Sequence, residues 1–397
     1  MTIPDFSEDA AAILPDLVAL RRALHGDPEL GLDLPRTQQK VLDALAGLPL
    51  EITTGTRTTS VIGVLRGGLP GPTVVLRGDM DALPIEEATG LDFASTNGAM
   101  HACGHDLHTA GLVGAAKILS ARRQELHGSV IFMFQPGEEG HGGAKIMLDE
   151  GLLSAAGDRP VAAYAIHVAP GPHGVFATRG GAVAAGSNQL HVTVRGRGGH
   201  GSQPHQTLDP VPAAAEMVLA LQSFVTRRFD AFDPVVLSVT RLSTGEGAVN
   251  VIPESVELAA TVRHMSASSL AILQEGLPRV IEGVAAAHGL TADVRFETMY
   301  PVTVNDPHET VETISALQGV FGGNRVLTMP SPMMGSEDFA FVLDEVPGTF
   351  IALMTSPPGT DLATVEWNHS PRVVFDDAVL GDQAAALATV AFARTAR

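Results

Sequence analysis

Three short apolar runs in this chain each end in side chains that can hold a metal ion or carry a proton. Thr73-Val74-Val75-Leu76-Arg77-Gly78 leads into Asp79-Met80-Asp81, Ser129-Val130-Ile131-Phe132-Met133-Phe134 into Gln135-Pro136-Gly137-Glu138-Glu139-Gly140, and Val161-Ala162-Ala163-Tyr164-Ala165-Ile166 into His167-Val168. Apolar runs of this length, rich in β-branched and aromatic residues, read as buried strands. In an open α/β sheet, ligand sites lie outside the carboxyl ends of parallel strands. Three strands ending in this way point to one α/β sheet with a site at its carboxyl edge.

Between the first two runs lies His101-Ala102-Cys103-Gly104-His105-Asp106-Leu107-His108, which packs the chain's single cysteine, three histidines and an aspartate into eight residues. One cysteine cannot close an intrachain disulfide, and a lone cysteine is most often a small buried hydrophobe. Thiolate, imidazole and carboxylate together instead suit a borderline ion such as zinc, and residues two apart on a Gly-containing turn can converge on one ion or an adjacent pair. An isolated Glu-Glu pair is usually a solvated acidic turn. At a strand end it can do more, because metal-assisted hydrolysis needs one anionic group to hold the ion and a second to take a proton from the activated water.

Composition excludes several other functions. A chain of 397 residues, 45% hydrophobic and 17% charged, can form two or three domains with real cores. A net charge of −19 would repel nucleic acid or an anionic membrane. No run approaches eighteen apolar residues, and the first residues carry no basic segment, so neither a membrane span nor a secretory signal is expected. The expected compartment is the cytoplasm, which also suits a reduced thiol.

Strands and helical patterns alternate over the first 180 or so residues, an α/β organisation. Helices are expected over 7–24, 37–45, 105–123 and 142–153. From about 187 to 297 the order changes to strand 190–195, helix 209–228, strands 235–242 and 256–263, helix 266–288 and strand 291–297. This β-α-β-β-α-β order is the ferredoxin-like split motif, a self-contained insertion. The α/β pattern then resumes, with helices expected at 308–321 and 336–346, a strand at 349–354 and a last helix from about 375.

The stretches Arg21-Arg22-Ala23-Leu24-His25-Gly26-Asp27-Pro28-Glu29-Leu30-Gly31, Gly78-Asp79-Met80-Asp81-Ala82-Leu83-Pro84, Met100 to His108 and Gln135 to Glu139 resemble the M20 metallopeptidase family. Within it they are similar to the amidohydrolase branch of N-acyl-amino-acid amidohydrolases, hippurate hydrolases and auxin-conjugate hydrolases. The resemblance implies an α/β fold: a catalytic domain with a mixed sheet flanked by helices, residues 1–185 and 299–397, and an inserted ferredoxin-like lid and dimerisation domain, residues 186–298.

Carried over residue by residue, the resemblance implies Cys103, His105, Glu139, His167 and His369 as ligands of two divalent ions, with the Cys103 thiolate bridging them. It implies Glu138 as the general base and Asp81 as an acid that orients the site from behind the ligands. His369, in a polar loop, is picked out by the resemblance alone. Asp79 stands where related branches place a histidine ligand; His108 lies on the helix face of His105, and either packing or support fits it. In the insertion, the residues matching His200, Asn250 and Arg263 contact the scissile carbonyl or the substrate carboxylate, and Gly335, in Gly335-Ser336-Glu337-Asp338-Phe339, lines the substrate pocket. Zinc leads on ligand softness, with manganese, cobalt or nickel open.

The expected reaction is hydrolysis of the amide of a small N-acyl amino acid by a homodimer, with neither nucleic acid nor membrane as partner. A dipeptidase using the same site is the alternative within hydrolases, and a metal-binding scaffold that has lost catalysis is the alternative outside them. A zinc nucleobase deaminase is excluded, because one cysteine cannot supply its Pro-Cys-x-x-Cys signature.

Overall fold

The computed structural model describes residues 3–397 and divides into two compact units, the first comprising 1–183, 303–332 and 338–397, the second 184–302 and 333–337. The expected boundaries fell at 185/186 and 298/299; the units divide a few residues away. Met333–Glu337, with Gly335, joins the second unit, where the Ala185 N–H donates to the Gly335 carbonyl and Ala184 bridges to Met333.

The first unit is built on an eight-stranded mixed sheet, in the order Leu50–Thr54, Val61–Arg66, His127–Gln135, Leu69–Asp79, Ala162–Ala169, Gly348–Met354, Phe176–Thr178, Val326–Thr328. The four strands from His127–Gln135 to Gly348–Met354 run parallel to one another. Both their faces are covered, which is why they read as continuous apolar runs. Val74, Leu76, Phe132, Phe134, Tyr164 and Ile166 enter one core with the helices Ser7–His25, His105–Ala121 and Val379–Thr395. Val75, Ile131, Met133, Ala163 and Ala165 alternate with them into the opposite core, beside helices Gly143–Asp149 and Ala340–Glu345.

In the second unit, strand Gly186–Arg195, helix Pro210–Arg228, strands Val236–Ser243 and Ser255–His264, helix Ala267–Ala287 and strand Thr291–Tyr300 follow one another. The strands form an antiparallel sheet in the order Val236–Ser243, Ser255–His264, Gly186–Arg195, Thr291–Tyr300. Val256, Leu258, Ala260 and Val262 are buried with the two helices, while Glu257, Ala259, Thr261 and Arg263 alternate onto the other face. Asp209 and Ser266 cap the helices through the backbone N–H groups of Val211 and Ser269.

Three expected helices are shorter than their patterns, the first, expected over 142–153, being α-helical only over Gly143–Asp149. The segment 336–346 is helical only over Ala340–Glu345, because the Asp338 carboxylate is engaged with distant side chains, and the last helix begins at Val379 rather than near 375. Among the described residues no helix is long and apolar enough to cross a membrane.

Candidate active site

The turn that carries the cysteine is set by one glycine. Gly104 is left-handed, with φ 84° and ψ 19°, and a Cβ there would lie 2.2 Å from Val168 Cγ2. No other residue meets both conditions. Cys103 and His105 therefore emerge on either side of it, His105 as the first residue of helix His105–Ala121. Thr109 Oγ1 donates to the Asp79 carbonyl at 2.8 Å, tying this helix to the end of strand Leu69–Asp79.

Each histidine's tautomer follows from its partners. His105 Nδ1 lies 2.8 Å from the Asp81 carbonyl, which only accepts, so Nδ1 carries the proton and Nε2 faces the cluster, buried and without a hydrogen-bond partner. His167 Nδ1 donates to the Val168 carbonyl at 2.8 Å, leaving Nε2 to face Cys103 Sγ at 3.5 Å. Burial, reinforced by His108, holds His167 well below the usual imidazole range, so it is neutral. His108 is committed: the Val168 N–H donates to its Nε2 at 2.8 Å, and its Nδ1 donates to Asp79 Oδ1 at 2.5 Å. It supports Asp79 and has no nitrogen left for an ion.

The Glu138-Glu139 pair is held by Asp81, whose Oδ1 and Oδ2 accept the backbone N–H groups of Glu138 and Glu139, each at 3.0 Å. His369 comes from a distant loop, with its N–H donating to the Ala102 carbonyl at 2.9 Å and its Nε2 3.3 Å from Glu139 Oε1. At φ 72° it is the only non-glycine of the described residues with positive φ, a strained placement of the kind that collects at functional sites. Hydrogen bonding to Cys103 and Glu139 outweighs partial burial and lifts His369 to about 10.

Of the groups of ligand atoms that lie within 4.8 Å of one another, three draw on the expected site: Cys103, His105 and His167; Cys103, Glu139 and His369; His105, Glu138 and Glu139. Cys103 is common to two of them. The donor set fits a divalent ion: one soft thiolate, imidazoles oriented by their remote nitrogens, and the buried His105 Nε2 lacking a hydrogen-bond partner. The charge of Asp79, 3.4 Å from His105 Nε2, outweighs burial and favours a proton on that nitrogen, where a cation could replace it.

His200, Asn250, Arg263 and Gly335 belong to the second unit. His200 and Val251 pair across the short strands Gly199–His200 and Val251–Ile252, and the Gly201 N–H donates to the Asn250 carbonyl, so His200 and Asn250 are neighbours on exposed backbone. The Ser202 N–H donates to His200 Nδ1 at 3.1 Å. Arg263 stands apart from them, half-buried on strand Ser255–His264, with Nη1 donating to Ser187 Oγ at 2.8 Å and Thr261 Oγ1 at 2.7 Å. No acidic side chain of the described residues pairs with it.

Residues 75–392 match Peptidase family M20/M25/M40. The chain belongs to this family. It is a metal-binding hydrolase of the M20 group. Thermostable carboxypeptidase 1 of Saccharolobus solfataricus is 35% identical over 98% of both chains. The N-acetylcysteine deacetylase of Bacillus subtilis is 35% identical, over 92% of this chain and 93% of its own. A dinuclear metal-binding M20 peptidase of Bacillus subtilis superimposes with a TM-score of 0.81 at 32% identity, covering 97% of this chain and 99% of that one.

The M20 chain also uses residues that its motifs did not announce. Asn368 Nδ2 donates to the carbonyls of Cys103 and Val168, at 3.3 and 3.2 Å, stitching the His369 loop to the cysteine turn. The Arg21-to-Gly31 stretch supplies a buried ion network beneath the same turn. Arg21 Nε donates to Asp106 Oδ2 at 2.7 Å and Nη1 to Asp377 Oδ1 at 2.9 Å, while His25 lies 2.8 Å from Asp106 and 3.1 Å from Glu87. Sequence could not have connected these, because the partners of Arg21 lie 85 and 356 residues away.

Proposed function

We propose that this M20 hydrolase cleaves the amide between an acyl group and an amino acid, releasing a carboxylic acid and the free amino acid. The reading is carried by one observation: a Glu138-Glu139 pair pinned through its backbone by Asp81, beside overlapping groups of soft and hard ligand atoms. Cys103, His105, Glu139, His167 and His369 would hold two divalent ions, Cys103 shared between them, zinc first and manganese, cobalt or nickel as alternatives. When bound, such ions lower the pKa of water to about 7 and polarise the amide carbonyl.

Glu138 takes the proton of the attacking water as the new C–O bond forms, and returns it to the leaving nitrogen as the C–N bond breaks. With the Ser202 N–H donating to its Nδ1, His200 presents Nε2 as the donor suited to the oxyanion. Asn250 would add a second polar contact to the substrate, and the turn at Gly335 would line its pocket. The half-buried guanidinium of Arg263, without an acidic partner, suits the carboxylate of the amino-acid half. In this reading the second unit is the lid and the dimerisation surface.

A peptidase reading is favoured by the likeness to a carboxypeptidase of Saccharolobus solfataricus. One screen separates the two: metal-reconstituted protein against N-acetyl, N-benzoyl and long-chain N-acyl amino acids and against dipeptides, with free amine detected. Cleavage of acyl amino acids in preference to dipeptides is the expected result; cleavage of dipeptides alone would establish the peptidase, and cleavage of neither would leave a metal-binding protein.

A further inference from the structure

Beneath the candidate metal centre lies a chain of buried charges that hydrolysis does not itself require. Arg77 is 2% exposed. Its Nε donates to Gln135 Oε1 at 2.9 Å, its Nη2 donates to Asp338 Oδ1 at 3.2 Å, and its Nη1 lies 2.8 Å from Asp79 Oδ2. Asp338, fully buried, accepts in addition from Gln135 Nε2, at 2.7 and 2.8 Å, and from the Ala144 N–H at 3.0 Å. Burying such ions is costly, and well-packed apolar side chains often serve stability as well or better.

What this network touches indicates its use. Asp79 and Gln135 are the last residues of adjacent parallel strands and lie opposite one another in register, with the Met80 N–H donating to the Gln135 carbonyl at 2.7 Å. Two residues past Asp79 is Asp81; three and four past Gln135 are Glu138 and Glu139. Asp79 itself bonds His108 and lies 3.4 Å from His105 Nε2. Arg77 reaches both Asp79 and Asp338, so charge that Asp338 takes from it is withdrawn from Asp79, and a carboxylate oxygen of Asp338 also lies within 4.8 Å of one of Glu138.

We propose that Asp338 is a positioning residue of the metal centre. Through Gln135 and Arg77 it fixes the two strand ends from which Asp81, Glu138 and Glu139 emerge, and by sharing Arg77 with Asp79 it sets the charge that Asp79 presents to His108 and His105. The inference rests on the metal-centre reading above.

The test compares wild type, Asp338→Asn and the exchange Asp338→Asn/Gln135→Glu, which moves the carboxylate across the contact and keeps a negative charge beside Arg77. Zinc affinity is measured on metal-free protein by competition with a chromophoric chelator, alongside circular dichroism and thermal melting, with kcat and KM on whichever substrate wild type cleaves. We expect folded Asp338→Asn to bind zinc about 10- to 100-fold more weakly, the range for losing a partner behind the ligands. Its kcat falls by a similar factor with KM little changed, and the exchange recovers most of both. Unchanged zinc affinity in folded Asp338→Asn overturns the inference while leaving the metal centre intact; wild type that binds no zinc overturns the metal centre itself. Should Asp338→Asn fail to fold, Gln135→Met, which leaves the Arg77–Asp338 pair in place, must show the loss of affinity. Normal affinity there, or failure of that variant to fold as well, makes the network merely structural and ends the proposal.

Discussion

The two carboxylate oxygens of Asp81 accept the backbone N–H groups of Glu138 and Glu139, one each, at 3.0 Å. An aspartate used in this way aims two neighbouring side chains through their backbone. Asp81→Asn presents a donor where one N–H now points, so the pair must shift. Activity of the metal-loaded protein should fall about 10- to 100-fold with the fold retained. Steady-state kinetics beside a melting curve check this, and full activity in the variant would remove the orienting role.

The two glutamates should separate by metal content. Glu138→Gln keeps the ligands and loses the base, so elemental analysis should show undiminished metal while kcat falls by about 10² to 10⁴. Glu139→Gln should lose metal and activity together. The opposite pattern would reverse the division of roles between them.

Arg263→Ala should weaken kcat/KM by one to two orders of magnitude on N-acyl amino acids, about the scale of a lost charge-assisted bond. The loss should shrink on the matching substrate whose carboxylate is replaced by a neutral amide. His200→Ala should depress turnover on both substrates alike. Equal losses on the charged and neutral substrates for Arg263→Ala would eliminate the carboxylate clamp.

His25 gives the stability a pH dependence. Burial disfavours its charge, but Asp106 and Glu87 outweigh burial and raise it from 6.5 to about 9. The folded state therefore holds this proton more tightly than the unfolded chain. Its contribution is complete below pH 6.5 and is lost as pH climbs through about 9. At 1.36 kcal/mol per pH unit the ceiling is about 3 kcal/mol. Denaturant unfolding of wild type and His25→Gln at pH 6 and pH 9.5 should show the gap between them narrowing at the higher pH; a constant gap would contradict the assignment.

The central strands were legible because both faces of each are buried, so Val74 to Leu76 and Val130 to Phe134 show no polar interruption. Leu50–Thr54 is an exposed edge strand, and Phe176–Thr178 and Val326–Thr328 are only three residues long; none of them has such a run. Cys103, His105, Glu138 and Glu139 could be singled out because they crowd into short segments. His369 could not, since what marks it is a backbone angle and a contact with Ala102 across the fold. Asp338 was hidden in another way. Its segment has a helical pattern, and its partners Gln135 and Arg77 lie 203 and 261 residues earlier.

Strand Ala162–Ala169 waits a long time for its neighbour Gly348–Met354. About 180 residues separate them, which at roughly 5–20 residues per second takes a ribosome about 10 to 35 seconds. Throughout that interval one edge of the parallel sheet has nothing to pair with, while the second unit is already being made in between. His369 leaves the ribosome later still, so the nascent chain holds Cys103, His105, Glu139 and His167 well before the last of the proposed ligands exists. Newly made protein is thus exposed to aggregation at a bare strand edge, and to capture of the wrong ion by an incomplete set of donors, before it can be an enzyme.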